Sequence, residues 1–179
     1  PEAGKELRSF PIVREKEKSS AYHVWSVALS PDGATLALTY QRADNTTSLV
    51  GAYAVRLFDV AKGTERHELS GHLYYVGAPS FSPDSKLVVT ASPALSDFFQ
   101  KQLKMLPNQV YVWDVKTGKR VPALPDGLPT GGVVAAFSPD GRTVALAPGV
   151  PFGGAAKLPD EAAMVRVYEV ATWTLRAEF

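Results

Sequence analysis

Three Ser-Pro-Asp turns recur along this chain in step with two other recurring features, and a tandem repeat of that kind limits the fold more than any other property of the sequence. The turns lie in Val27-Ala-Leu-Ser-Pro-Asp-Gly-Ala-Thr-Leu36, Pro79-Ser-Phe-Ser-Pro-Asp-Ser-Lys-Leu87 and Ala135-Ala-Phe-Ser-Pro-Asp-Gly-Arg-Thr-Val144. Their prolines, Pro31, Pro83 and Pro139, are 52 and 56 residues apart. A second column runs Leu57-Phe-Asp-Val60, Val112-Trp-Asp-Val115 and Val167-Tyr-Glu-Val170, with its acidic members spaced 55 and 55. In a third column a turn residue precedes an apolar residue by six positions: Gly4 and Phe10, Gly63 and Leu69, Gly118 and Leu124, Trp173 and Phe179. Three columns that hold phase over the whole chain define a repeat of about 55 residues.

Each repeat reads as four short strands. Residues 24–29 lead into Ser-Pro-Asp-Gly, which suits a type I turn with Pro second and Gly fourth. Strands two, three and four follow at 35–40, 53–59 and 64–69. Their counterparts are 75–81, 86–91, 109–114 and 119–124, then 132–137, 143–147, 164–168 and 173–178. The first strands are apolar or small on both faces, as in Val24, Trp25, Val27, Ala28 and Leu29, which fits sheets sandwiched between neighbours. Pro79 removes a ladder donor and belongs on a sheet edge, so this strand is expected to be innermost.

With these columns in view, the chain resembles a run of WD-type repeats from a β-propeller. The residues that carry the resemblance are Ser70-Gly-His72, the Ser-Pro-Asp turns, Val112-Trp-Asp114 and the Gly63 and Gly118 turns. The resemblance implies an all-β fold, a partial β-propeller of three four-stranded antiparallel blades with long loops between strands two and three. The expected organisation is an outer strand of a preceding blade at 1–10 and blades at 19–69, 71–124 and 127–179. It also implies a structural hydrogen-bond network, for which His72, Thr90 and Trp113 stand in three of the four places. An inserted loop displaces the fourth, an Asp. The other repeats depart further, with Ser19-Ser20 and Gly127-Leu128 in place of Gly-His and with Phe58 and Tyr168 in place of Trp. Closed propellers use about four to eight blades, and open stacks leave apolar faces in water. Three blades and a leading strand are therefore expected to be an excerpt of a longer propeller; pairing of two copies would leave one strand over.

Residue types that carry chemistry are present, but the repeat explains them. Asp32, Asp84 and Asp140 recur in the same turn, as turn chemistry requires and a single active site does not. Ser30, Ser82 and Ser138 recur with them, and no Gly-x-Ser-x-Gly elbow is present. Gly153-Gly-Ala-Ala-Lys157 lacks the spacing and the following Ser or Thr of a phosphate loop. Of the three histidines, His72 falls in the network, His67 reads as a solvated residue of an outer strand, and His23 stands at the opening of an inner strand. No converging ligand set for a metal is visible, and no cofactor is expected. The chain has no Cys, which removes disulfides and thiolate chemistry. A net charge of +1 gives no field to attract nucleic acid or an anionic membrane. No apolar run approaches the about 18 residues of a spanning helix. Neither a targeting segment nor a Cys pattern points to a compartment.

The insertions between strands two and three, at 41–52, 92–108 and 148–163, leave the same side of the three sheets. The second has helical character: Ser92-Pro93 can start a helix, and Leu95, Phe99, Leu103 and Leu106 share one face. That face either packs on its own blade or docks a partner, with Phe98, Phe99, Lys101 and Lys104, together with Tyr74 of an inner strand, as the candidate contacts. The expected function is non-catalytic: a protein–protein interaction scaffold whose partners are proteins and neighbouring blades, from a longer chain or another copy. The alternatives are a propeller enzyme or small-ligand binder using the central channel, through residues such as His23, Tyr22 or Tyr74, and a regulatory repeat region attached to a catalytic domain.

Overall fold

The computed structural model describes residues 9–11, 21–43, 53–72, 75–92, 109–122, 124, 133–148 and 164–179. Within them lie twelve strands in three four-stranded sheets. The first sheet holds β1 (Ala21–Leu29), β2 (Thr35–Ala43), β3 (Tyr53–Asp59) and β4 (Thr64–Leu69). The second holds β5 (Ser80–Phe81), β6 (Leu87–Ser92), β7 (Gln109–Asp114) and β8 (Arg120–Val121). The third holds β9 (Val133–Phe137), β10 (Thr143–Pro148), β11 (Arg166–Glu169) and β12 (Thr174–Glu178). In each sheet the strands lie side by side in chain order, every neighbour antiparallel. These are three propeller blades.

The Ser-Pro-Asp turns are built alike. Ser30, Ser82 and Ser138 donate their hydroxyls to Asp32, Asp84 and Asp140 at 2.5, 2.7 and 2.6 Å. The same hydroxyls accept the N–H groups of Thr35, Leu87 and Thr143 at 2.8, 2.9 and 3.0 Å. The turn's last residue has positive φ in every blade: Gly33 at 69°, Ser85 at 60° and Gly141 at 70°. Ser85 holds that left-handed conformation without being Gly, and its hydroxyl accepts the N–H of Asp32 in the first blade at 3.1 Å. The strain is thus coupled to a contact between blades.

Register fixes which side chains face which neighbour. Leu36, Val88 and Val144 pair with Phe58, Trp113 and Tyr168, and one position on, Ala37, Val89 and Ala145 pair with Leu57, Val112 and Val167. Cross-strand partners share a face, and successive residues alternate. Ala37 and Leu57 therefore pack, with Leu69, against Val88, Trp113 and Phe81 of the second blade. Val89, Val112 and Leu124 pack against Val144, Tyr168 and Phe137 of the third in the same way. On the first blade's other face, Phe10 packs edge-on against Phe58 with ring centroids 5.7 Å apart, beside Leu36, Leu38 and Tyr40.

The second blade departs from the expected strands. Its inner strand is reduced to Ser80–Phe81, where residues 75–81 were expected, because Pro79 supplies no ladder N–H. Upstream, one bond survives, from Gly77 N–H to the Ala91 carbonyl at 3.0 Å. The edge position expected for this strand is found, since β5 is the first in its sheet. His67 is also not simply solvated. It is half-buried against the β7–β8 turn, with its Nε2 at 2.9 Å from the Lys116 carbonyl oxygen. Among the described residues no helix is long and apolar enough to cross a membrane.

Candidate functional site

His72, Thr90 and Trp113 of the second blade come together on the face it turns to the first blade. Trp113, on β7, donates its indole N–H to Thr90 Oγ1 on β6 at 2.7 Å. Because that oxygen accepts from Trp113, the Thr90 hydroxyl is free to donate to His72 Nε2, also at 2.7 Å. The network therefore assigns the ring proton to His72 Nδ1, an assignment made from donors and acceptors rather than from visible hydrogens. That Nδ1 has no hydrogen-bond partner among the described residues.

Tyr111 lies 4.7 Å from the His72 ring and edge-on to Trp113 at 5.7 Å, and the Arg120 guanidinium sits 3.9 Å over the Tyr111 ring. Burial pushes the His72 pKa down to about 3, and the positive charge of Arg120 acts in the same direction. At neutral pH this imidazole is uncharged and a poor proton acceptor. Its geometry ties one blade's incoming chain to the next blade's two central strands.

The other two junction-facing sides solve the same packing problem differently. Leu38 and Leu146 stand where Thr90 does, and Arg56 and Arg166 stand where Tyr111 does. Arg56, only 1% exposed, pairs through Nε with Glu68 at 3.4 Å and Glu65 at 3.7 Å, with its guanidinium 4.4 Å over the Tyr40 ring. Arg166 pairs with Glu178 at 2.6 Å. A buried guanidinium is tolerated because carboxylates neutralise it and accept its hydrogens. Sequence reasoning passed over these pairs. The signal was available, since each Arg precedes the Leu-Phe-Asp or Val-Tyr-Glu column and its Glu follows 12 positions later, on the paired outer strand.

The remaining acidic residues are held by local structure. Asp59 accepts from both Nε and Nη2 of Arg66, at 3.2 and 2.7 Å, and from the Lys62 N–H at 2.9 Å. The Arg66 hydrogen bonds, followed by the Lys62 N–H, hold its carboxyl below the usual carboxylate range. Asp114 is lowered first by the Thr117 hydroxyl and then by the Thr117 N–H. For Asp32, Asp84 and Asp140 the leading cause is the Ser hydroxyl two residues earlier. Asp59 is thus held across its hairpin by Arg66, and the other four carboxylates accept hydrogen bonds within their own turns.

His23 is exposed on β1 and is not joined to the His72 cluster. The candidate docking residues Tyr74, Phe98, Phe99, Lys101 and Lys104 lie outside the described residues, as does the helix expected across 94–106. Among the described residues, no group of three or more His, Asp or Glu side chains could hold a metal ion.

The WD domain, G-beta repeat family model matches residues 63–97, a span that runs from the Gly63 turn through His72 and Thr90. No curated protein sequence matches the chain. Among solved structures, a chain of the mitotic checkpoint complex is similar, with TM-score 0.58 and 16% identity over 90% of this chain and 38% of that one. The RRP9 WD40 repeats give TM-score 0.57 and 12% identity over 87% and 38%. Hydrazine synthase of Kuenenia stuttgartiensis gives 0.56 and 15% over 87% and 35%. The chain thus spans between 35% and 38% of the length of these structures. Blade architecture defines the class, that of β-propeller proteins. Within it, residues 63–97 match the WD-type repeat, and the fold of the chain is that of the propellers it is similar to.

Proposed function

We propose that this chain is a non-catalytic protein–protein interaction scaffold, three blades of a propeller whose ring includes further blades. The observation that carries the reading is that Ser and Asp side chains suited to chemistry are engaged, blade after blade, in the hydrogen bonds of the repeat itself, and His72 likewise in the second blade. A rigid sheet framework of this kind leaves the inserted loops free to vary. The strand ends from which the insertions between β2 and β3, β6 and β7, and β10 and β11 depart are equivalent in the three sheets. Two of the similar structures, the mitotic checkpoint complex and the RRP9 WD40 repeats, support a protein partner by analogy of fold.

The contacts assigned to the partner are Phe98, Phe99, Lys101 and Lys104 of the second insertion, with Tyr74. The test is affinity capture of partners with the intact chain, followed by calorimetric Kd measurement against a form in which 94–106 is replaced by a short Gly-Ser linker. The scaffold reading expects the β-sheet circular dichroism to persist while affinity falls at least tenfold. Unchanged affinity in the folded variant would remove the second insertion from the interface.

A further inference from the structure

The outer hairpin of every blade closes on a residue of positive φ: Gly63 at 70°, Gly118 at 66° and, in the third blade, Trp173 at 54°. The three turns are otherwise alike, since the N–H of each bonds to the carbonyl of Asp59, Asp114 or Glu169 at 2.8, 2.8 and 2.7 Å. Trp173 thus stands where the backbone calls for Gly, and a left-handed residue with a side chain carries a penalty that glycine escapes. Strain of this kind persists only where the surrounding structure over-determines it. At the first junction β4 runs for six residues, and the ring of its His67 fills the space over Gly118. Pro122, 55 residues after His67, holds the same place on the second blade. It has no ladder N–H, β8 ends just before it at Val121, and it is exposed. Trp173 is half-buried and packs against the apolar cluster that joins the second and third blades, which includes Val112, Leu124 and Tyr168 and has Val121 at its margin. The outer strand supplies the bulk and the turn the room at the first junction; at the second, the turn supplies the bulk.

We propose that Trp173 is a latch: its indole fastens the outer hairpin of the third blade to the shortened outer strand of the second, and holds a left-handed turn that relaxes when the indole leaves. Undocking loses the apolar contact and releases the backbone penalty in one step, so the latch has two discrete states, closed with a strained turn and open with a relaxed one. A glycine turn such as that of Gly118 stores nothing to release. The open state uncovers Val121 beside the turn, while Val89 and Val144 keep the two sheets packed. Local opening of this kind, short of global unfolding, is drawn from the least stable contacts of a fold. The latch depends on packing between blades and is independent of the scaffold reading.

Hydrogen–deuterium exchange of the intact chain, Trp173→Ala, Trp173→Gly and Trp173→Phe tests the proposal, with circular dichroism verifying each fold. Peptides that cover 119–122 should exchange about tenfold faster in the Ala and Gly variants, although no residue of the second blade is altered, while β3 is unchanged. Trp173→Phe keeps a ring at the turn and should hold the protection of 119–122 near that of the intact chain. Urea melts then separate strain from contact. Both small variants lose the indole, but only Ala keeps the left-handed penalty, so the unfolding constant of Trp173→Gly should be about fivefold smaller than that of Trp173→Ala. Unchanged exchange at 119–122 in both variants would overturn the latch and confine Trp173 to its own turn. An Ala variant as stable as the Gly variant would overturn it too, because no strain would then be stored. Should Trp173→Ala fail to fold, the Gly and Phe variants carry the test: faster exchange at 119–122 in Gly alone supports the latch, and equal exchange in the two overturns it.

Discussion

The ring of His67, on the outer strand of the first blade, lies where a Cβ on Gly118 of the second blade would have to go, at 2.5 Å from that position. The contact is possible because Gly118 has φ +66° and carries no side chain. Its N–H bonds to the Asp114 carbonyl at 2.8 Å, so the turn that closes the β7–β8 hairpin also receives the neighbouring blade. One glycine thus serves a backbone requirement and a packing requirement together.

Substitution separates the two requirements. Gly33→Ala meets nothing within 4 Å at φ +69°, so it should cost only the left-handed conformational penalty, about 1–2 kcal/mol. Gly118→Ala incurs that penalty and displaces His67, and should cost about 1–2 kcal/mol more. Urea denaturation measures both. Adding His67→Ala to Gly118→Ala should recover most of the excess, and a double variant no more stable than Gly118→Ala would refute the contact.

Thr90→Val tests the junction network with little change of shape. It leaves the buried Trp113 N–H and His72 Nε2 without their common partner. A buried polar group left unpaired costs about 1–3 kcal/mol, so a loss of about 2–4 kcal/mol is expected in urea melts. The corresponding positions in the other blades already hold Leu38 and Leu146, where no Trp or His needs a partner.

Acid should weaken the fold in two stages. His72 titrates at about 3 in the folded protein, below its ordinary value of 6.5. Between those pH values the unfolded chain takes up a proton that the folded chain does not, so stability falls as pH falls through this window. The slope is at most about 1.4 kcal/mol per pH unit. Below about pH 4 the lowered carboxyls of Asp32, Asp59, Asp84, Asp114 and Asp140 add to the loss, because their stabilisation is present above the unfolded pKa and disappears as they protonate. His72→Gln should be less stable at pH 7 yet show a flatter profile between pH 6.5 and about 4. An unchanged slope in that variant would assign the acid sensitivity elsewhere.

Much of this architecture was legible because it is periodic. The Ser-Pro-Asp turns announced themselves through residues that only a tight turn uses, and the Leu-Phe-Asp column marked β3, β7 and β11. Leu69 and Leu124 of the third column proved to be side chains that pack between blades, and Phe10 packs on Phe58, while Phe179 is exposed. The pairs Arg56–Glu68 and Arg166–Glu178 were harder to see. Charge on a strand ordinarily means solvent, and only the cross-strand register shows a buried guanidinium held by a more exposed carboxylate. His67 was misread for a related reason: its neighbours along the strand are polar, and the turn it packs on comes from another blade.

Hydrogen–deuterium exchange followed by mass spectrometry tests the central claim most directly. Strands β3, β6 and β7, buried between blades, should be the slowest to exchange, with β12 much faster. If β6 and β7 exchange as fast as β12, the three sheets are not packed as successive blades, and the account is wrong.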